Sequence, residues 1–275
     1  MDNERLRALQ LARSGQLKQA VALGTSRPCA LQAEDVKEVL VRHDKDVQIL
    51  PGMMTALTDK VSLTRWLMLV NPELGRYLDD RIGTTWRENP QRLELLEAYT
   101  EEEGAQYELT MIKALKKKQV TERLTVNPET MFDVCVCPDE KAVRYVLKRA
   151  EQTDKVTFFM PESVRKEFPE STRVVFFDES LEEALVAAAD VSVDFTNAGA
   201  LLVNGAVMMT SADSHLWDVC DKASMFRVTD LNYALVRHRA ERAYRKRQAW
   251  AIRMVRSLSH AGAFALDIRD LEAWL

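Results

Sequence analysis

Polar side chains that could bind a ligand gather between residues 191 and 228. A short β-branched run at 191–195, VSVDF, predicts a buried strand that ends in polar groups. A small-residue turn follows it, and a second apolar run continues through Asn204-Gly205 to Met209. A helix start is predicted near Ser211–Asp213. In open α/β sheets, ligands bind at the carboxyl ends of strands. We therefore predict a ligand site here, formed by Asp194, Thr196, Asn197, Asn204, Ser211, Asp213 and His215.

These residue types allow more than one chemistry. Asp194 and Asp213 could form a carboxylate pair, although Asp213 could equally be a helix N-cap, which is a common role for aspartate. Cys135, Cys137 and Cys220 could be nucleophiles with His215 as base, but no local motif joins them, and a cysteine in an apolar strand usually acts as a small hydrophobe. We therefore assign no catalytic residue.

Metal and nucleotide cofactors are not expected. The histidines at 43, 215, 238 and 260 are scattered and form no zinc-binding clip with the cysteines. After residue 105 the glycines are Gly199, Gly205 and Gly262, and these cannot build a phosphate loop or a dinucleotide fingerprint. Binding of ATP, GTP or NAD in the common ways is therefore disfavoured, and we predict no cofactor.

A second candidate site is the basic segment near the end of the chain. Between Arg237 and Arg256 there are seven arginines and one lysine against one acid, with aromatic residues interleaved. Arginine with aromatics is typical of RNA contact. The alternative is an amphipathic helix whose arginines face solvent or dock an acidic partner. The candidates for RNA or an acidic partner are Arg237, Arg239, Arg242, Arg245, Lys246 and Arg247.

The elements that must position these residues differ between the two halves of the chain. Residues 1–125 have a helical pattern, with restarts predicted at Asn71-Pro72 and Asn89-Pro90, and they form a predicted α-helical domain. From 131 onward, strands are predicted at 131–137, 155–160, 173–177, 191–195 and 225–228. Helices lie between them at 139–149, 162–168, 180–189 and 213–222, with Ser180 and Glu183 as a capping box.

Apolar strands separated by helices of about ten residues indicate a parallel sheet covered on both faces. We therefore predict an α/β fold in two parts. A helical N-terminal region is followed by a Rossmann-like α/β domain at 126–275, which a long basic helix at 231–260 closes.

Composition limits the class of protein. Apolar residues make up 47% of the 275-residue chain, charged residues 29%, and the net charge is −4, so no global positive field draws the chain to nucleic acid. The apolar runs are too short to span a bilayer. The start, MDNERLRALQ, has acidic residues and no apolar signal region, so we expect a cytoplasmic protein that does not enter a membrane.

One segment resembles a known family. The stretch AGALLVNGAVM at 198–208, with Ala189-Asp190 before the strand and TFFMPE at 157–162, is similar to the regulatory-subunit family of the exchange factor for translation initiation factor two and to related sugar-phosphate isomerases. That family pairs a helical N-terminal region with a C-terminal α/β domain. The resemblance covers residues 126–230.

The resemblance implies a binding protein rather than a catalyst. The isomerases' catalytic aspartate falls on Gly199, their catalytic cysteine has no clear equivalent, and the family's Gly-Thr at a helix start falls on Ala212-Asp213. An acidic residue at that position would repel a phosphate.

We therefore expect a non-catalytic interaction or regulatory subunit that acts in translation, with protein partners in a homo- or hetero-oligomer. Two alternatives stay open: an enzyme on the same scaffold, isomerase-like or CoA-transferase-like, acting on a small anionic metabolite, and an RNA- or ribosome-associated protein that uses the basic helix.

Overall fold

The fold is taken from a computed structural model of the chain. It describes residues 67–264, with gaps at 69, 137, 139, 194–200, 212–224 and 230–231. None of the helices in this described part is long and apolar enough to cross a membrane.

The first described elements are helical. Helix α1 spans Pro72–Ile82, 3-10 helices span Thr84–Arg87 and Pro90–Tyr99, and helix α2 spans Glu103–Thr121. The predicted Asn-Pro restarts are confirmed. Asn71 accepts a hydrogen bond from the Leu74 N–H, and Asn89 accepts one from the Gln91 N–H, while the following proline occupies the first helical turn.

Strands and helices then alternate. Strand β1 (Met131–Val134) leads to α3 (Glu140–Arg149), β2 (Val156–Pro161) leads to a 3-10 helix (Glu162–Glu167), and β3 (Val175–Phe177) leads to α4 (Glu179–Ala188). Strands β4 (Val191–Ser192), β5 (Val207–Ser211) and β6 (Phe226–Val228) follow. The chain continues through α5 (Tyr233–Tyr244), α6 (Arg247–His260) and a 3-10 turn (Ala261–Phe264).

The described strands form a sheet in the order β3-β2-β1-β4-β5-β6, and every described pairing in it is parallel. The predicted α/β class with a parallel, Rossmann-like sheet is therefore confirmed. The strand order reverses direction between β1 and β4, so the crevice at their carboxyl ends is the topological switch point at which such folds bind ligands.

Three local predictions were wrong. Strand β5 was not predicted, because apolar residues on both sides of Asn204-Gly205 do not show where a helical turn ends and a strand begins. The N-cap of α4 is Asp178, which accepts from the Ser180 N–H, so Ser180 is not the first residue of a capping box. The long closing helix is broken at Arg245-Lys246 into α5 and α6.

The described helices before residue 125 pack directly on the α/β part. Helix α2 contacts α4 and α6, and the Pro90–Tyr99 helix packs along α6. Gly262 lies so close to this helix that a Cβ at 262 would overlap the backbone carbonyl of Pro90. One hydrophobic core runs through both parts. The predicted division near residue 125 stays a prediction, because residues 1–66 lie outside the described part.

Candidate functional site

The carboxyl edge of the sheet contains part of the predicted ligand site. Ser211 is the last residue of β5 and lies at this edge. Asp194, Thr196, Asn197, Asp213 and His215 lie outside the described residues. Their prediction as ligand-binding residues is neither supported nor contradicted.

Asn204 lies at the opposite edge. It precedes β5, so it is at the amino ends of the strands, not beside the carboxyl-edge crevice. Its side chain is buried and accepts a hydrogen bond of 2.9 Å from the Asn71 Nδ2, which joins the start of α1 to the sheet. Gly205 follows with φ of +72°, a conformation that glycine adopts without strain. This bend is a structural connection, and its predicted place at the functional edge was wrong.

The helices that start at the carboxyl edge hold the chain's own carboxylates in their first turns. Glu140 begins α3 and pairs with Arg144 at 2.7 Å, and Glu162 begins a 3-10 helix. Asp178 caps α4, and hydrogen bonds from the Ser180 hydroxyl and N–H hold the pKa of Asp178 below its usual value. Because a helix start attracts anions, these carboxylates occupy the positions that a phosphate would use.

The cysteine and histidine candidates lie only partly within the described residues. Cys135, directly after β1, is buried and is not in a disulfide, while Cys137 lies outside the described residues. Within the described ranges, no group of histidine, cysteine, aspartate and glutamate side chains is arranged to hold a metal ion.

The amino edge carries a buried lysine cluster that the sequence did not predict. Lys113 of α2 donates to the backbone carbonyls of Ala187, Ala189 and Asn204 at 2.7–3.1 Å. Two of these carbonyls end α4, where a cation complements the helix dipole. Burial lowers the pKa of Lys113 to about 7, and the charge of Asp190 opposes that effect.

Lys117, one turn further along α2, joins three elements. Its ammonium donates to the Thr130 carbonyl at 2.6 Å, to the Asp190 carboxylate at 2.7 Å and to the Tyr244 hydroxyl at 2.7 Å. Asp190 also accepts from the Phe132 N–H at 2.8 Å. Burial, followed by the charge of Asp190, raises the pKa of Tyr244, so this phenol stays neutral. The only signal for this cluster in the sequence is a group of lysines spaced along one helix.

A cleft of about 740 Å³ opens over this cluster, and we call it the amino-edge cleft. Its walls come from α2, from the turns before β1 and β2, and from the junction of α5 and α6. The lining charged side chains outside the buried cluster are Lys118, Glu129, Asp154, Lys155, Glu241, Arg245 and Arg247.

The structure separates the predicted basic residues into two groups. Arg239, Arg242, Arg245, Lys246 and Arg247 are exposed. Arg237 is fully buried, forms an ion pair with Asp133 of β1 and lies over the Phe158 ring. Its predicted role in contacting RNA or an acidic partner is therefore corrected: Arg237 holds α5 against the sheet. For the exposed residues the contact stays a prediction.

Comparison with known proteins points to carbohydrate phosphorylases. The family model described as "Phosphorylase: Carbohydrate phosphorylase" matches residues 29–148, which extends through α1 and α2 into the β1–α3 unit. Maltodextrin phosphorylase of Streptococcus pneumoniae is 30% identical over 111 residues, which is 38% of this chain and 14% of that protein. Glycogen phosphorylase of Synechocystis is 31% identical over 113 residues (39% and 13%), and that of Chlamydia trachomatis is 27% identical over 144 residues (48% and 18%). The matched segments thus span less than a fifth of each of these relatives.

These matches overturn the resemblance drawn from the sequence. The similarity to the initiation-factor regulatory subunits depended on the segment at 198–208, and that segment contains the Asn204-Gly205 bend at the amino edge. The family match covers residues 29–148 and names proteins of carbohydrate metabolism. The expected role in translation regulation and its isomerase-like alternative were therefore wrong. Contact of the exposed basic residues with RNA stays a prediction.

Proposed function

We propose that this chain acts in carbohydrate metabolism and binds a neutral glucan, of the maltodextrin or glycogen type, at the carboxyl-edge crevice between β1 and β4. The observation that carries the proposal is the match to carbohydrate phosphorylases over residues 29–148, which ends within the first βα unit of the sheet. That unit forms one side of the switch-point crevice.

The charge of the described carboxyl edge favours a neutral ligand over a phosphorylated one. Glu140, Glu162 and Asp178 occupy the helix starts that would otherwise attract a phosphate. Carboxylates are strong acceptors for hydroxyl groups, and a sugar offers many hydroxyl donors without adding a charge that these carboxylates would repel. A glucan therefore suits this edge better than a sugar phosphate does.

The test measures the affinity for the glucan and locates its binding site on the chain. Isothermal titration of the full chain with maltoheptaose should give saturable binding, and glucose 1-phosphate should bind the carboxyl edge more weakly. Hydrogen–deuterium exchange should show maltoheptaose protecting the amides of Cys135, Val136, Glu140, Glu162 and Ser163. The amides of Asn127, Glu129 and Thr130, on the opposite edge, should not change. Absence of maltoheptaose binding, or stronger protection of the carboxyl-edge amides by glucose 1-phosphate, would contradict the proposal.

The remaining sequence predictions on partners and location are part of this proposal. We propose protein partners, in a homo- or hetero-oligomer, and a cytoplasmic location. Light scattering after size exclusion tests the first of these, and a strictly monomeric particle would contradict it.

A further inference from the structure

The outer face of helix α2 exposes a row of large apolar side chains. Tyr107 is 68% exposed, Met111 51% and Leu115 40%, and their intervals of four residues place them on one face of the helix. We call these three residues the α2 stripe. The opposite face of α2 packs on α4 and α6. A single exposed apolar residue is ordinary on a protein surface, but a contiguous row of them marks an interaction surface.

We propose that the α2 stripe is the interface of a twofold-symmetric homodimer, in which the α2 helices of two copies pack antiparallel with Met111 at the twofold axis. This dimer rests on the proposed oligomer and adds to it the partner, which is a second copy of this chain, and the surface, which is α2. It does not depend on glucan binding at the carboxyl edge.

The spacing of the stripe fits a twofold axis. In a twofold interface the same patch of both copies must be complementary to itself. Tyr107 and Leu115 each lie four residues from Met111, on either side of it. An antiparallel pairing about Met111 therefore places Tyr107 of each copy opposite Leu115 of the other, and the two Met111 side chains opposite each other. Every member of the stripe then meets an apolar partner.

The charges at the two ends of α2 favour the antiparallel direction. Glu101 and Glu103, at the amino-terminal end, are exposed and form no ion pair with the residues that the structure describes. Lys118, near the carboxyl-terminal end, is also exposed. An antiparallel pair brings the acidic end of each copy to the basic end of the other, whereas a parallel pair would place like charges side by side. The two helix dipoles also attract each other in the antiparallel arrangement.

The amino-edge cleft extends the basic end of this surface. Met111 and Lys118 line the cleft, so the stripe borders its mouth. Arg245 and Arg247 lie on the wall formed by α5 and α6, and both are exposed. The acidic end of a second α2 therefore meets these positive charges as well as Lys118. Two copies can attract each other at this face although each has a net charge of −4.

Another possible cover for the stripe is the part of this chain before residue 67, which is outside the described residues. The two covers differ in their dependence on protein concentration. An intramolecular cover stabilises the chain equally at every concentration, whereas a dimer dissociates on dilution and its melting temperature then decreases. Dilution therefore separates the second copy from a cover within one chain.

Sedimentation equilibrium of the full chain measures the association. We expect a reversible equilibrium between monomer and dimer for the wild type. Met111→Lys and Tyr107→Lys should each raise the dissociation constant of the dimer at least about a hundredfold, because the twofold axis repeats each substitution in both halves of the interface. Leu235→Lys is the matched control, since Leu235 of α5 is 54% exposed but lies outside the stripe, and it should leave the dissociation constant unchanged.

A charge exchange tests the antiparallel direction. Lys118→Glu and Glu103→Lys should each raise the dissociation constant several-fold, because each places like charges at both ends of the helix pair. The double variant with both changes should return to the wild-type value, since it restores opposite charges across the interface. In a parallel pair the double variant would restore nothing, because each end would still meet its own charge.

Cross-linking under mild oxidation locates the axis. Met111→Cys should give a disulfide-linked dimer, because the two copies of a residue on the axis lie within the roughly 7 Å between Cα atoms that a disulfide allows. Tyr107→Cys alone should give none, since its two copies are about 12 Å apart along the helices at a rise of 1.5 Å per residue. A mixture of Tyr107→Cys and Leu115→Cys chains should cross-link. The oxidised wild type, with its four native cysteines, is the control.

The outcomes separate this dimer from the other proposals. A wild type that stays monomeric at every concentration would overturn both the dimer and the proposed oligomer. An oligomer that Met111→Lys leaves intact would overturn the α2 interface but not the oligomer. A monomer that Met111→Lys destabilises equally at every concentration would assign the stripe to a cover within the chain. Maltoheptaose should bind the wild type and the Met111→Lys chain equally, and this comparison tests the glucan site separately.

Discussion

The buried ion pair between Arg237 and Asp133 gives the sharpest prediction of stability. Arg237 is 0% exposed and Asp133 is 2% exposed, and the guanidinium also lies 5.2 Å from the centre of the Phe158 ring. Arg237→Met keeps the apolar stem but leaves the Asp133 carboxylate buried without its counter-charge. Its Oδ1 already has no hydrogen-bond partner within the described ranges. Breaking a buried pair in this way costs about 3–5 kcal/mol.

The pH dependence of that loss follows from the pKa of Asp133. Burial raises this pKa, and Arg237 is the group that opposes the increase. Without Arg237 the folded pKa rises further above the unfolded value, so the folded variant binds more protons than the unfolded chain. Its free energy of unfolding then decreases as pH rises through that interval. The loss relative to wild type should therefore be smaller at pH 5 than at pH 8.

Urea unfolding, followed by circular dichroism at both pH values, measures these differences. The double variant Asp133→Val with Arg237→Met should recover most of the lost stability, because it removes both buried charges. Arg239→Met, an exposed neighbour on α5, should change stability by no more than about 0.5 kcal/mol. If Arg237→Met costs less than about 1 kcal/mol at pH 8, or if its loss is the same at pH 5, the ion pair does not have the energetic role inferred here.

Three further predictions concern the described packing. Lys117→Met should lower the free energy of unfolding by about 3–5 kcal/mol, because it removes the ion-pair partner of the buried Asp190. The exposed Lys118→Met should have almost no effect, and urea titration of both variants checks this. The folded pKa of Lys113, about 7, lies below its ordinary value of 10.5, so between pH 7 and 10 the folded chain binds fewer protons than the unfolded chain. Its free energy of unfolding should therefore increase with pH over this range. Lys113→Met should remove this increase in thermal melts recorded from pH 7 to 10. Gly262→Ala should lower the free energy of unfolding by about 1–3 kcal/mol, because the added Cβ would overlap the Pro90 carbonyl. Gly104→Ala should not destabilise the protein, since its Cβ would meet only the Glu102 side chain at 3.5 Å. A melting temperature for Gly262→Ala equal to that of the wild type would refute the close approach.

The order of residues along the chain is enough to predict the class of the fold and the positions of many elements. Runs such as 131–134 and 156–161 are mainly apolar, with Asp133 and Thr157 as the exceptions, and a strand that is buried on both faces favours this pattern. Asn71 and Asn89 marked helix starts, because a side-chain oxygen followed by proline satisfies the first turn locally. These features depend on neighbours a few residues away, so the chain order is enough to predict them.

Contacts between distant segments depend on how the chain packs in three dimensions. The sequence predicted that Asn204-Gly205 lies at the carboxyl edge of the sheet, but the direction of β5 places it at the amino edge. There Asn204 contacts Asn71, which is 133 positions away in the chain. Lys113, Lys117 and Arg237 are charged residues that a sequence pattern assigns to the surface. Each is buried because distant carbonyls or carboxylates pair with its charge, and a one-dimensional pattern does not contain those pairings.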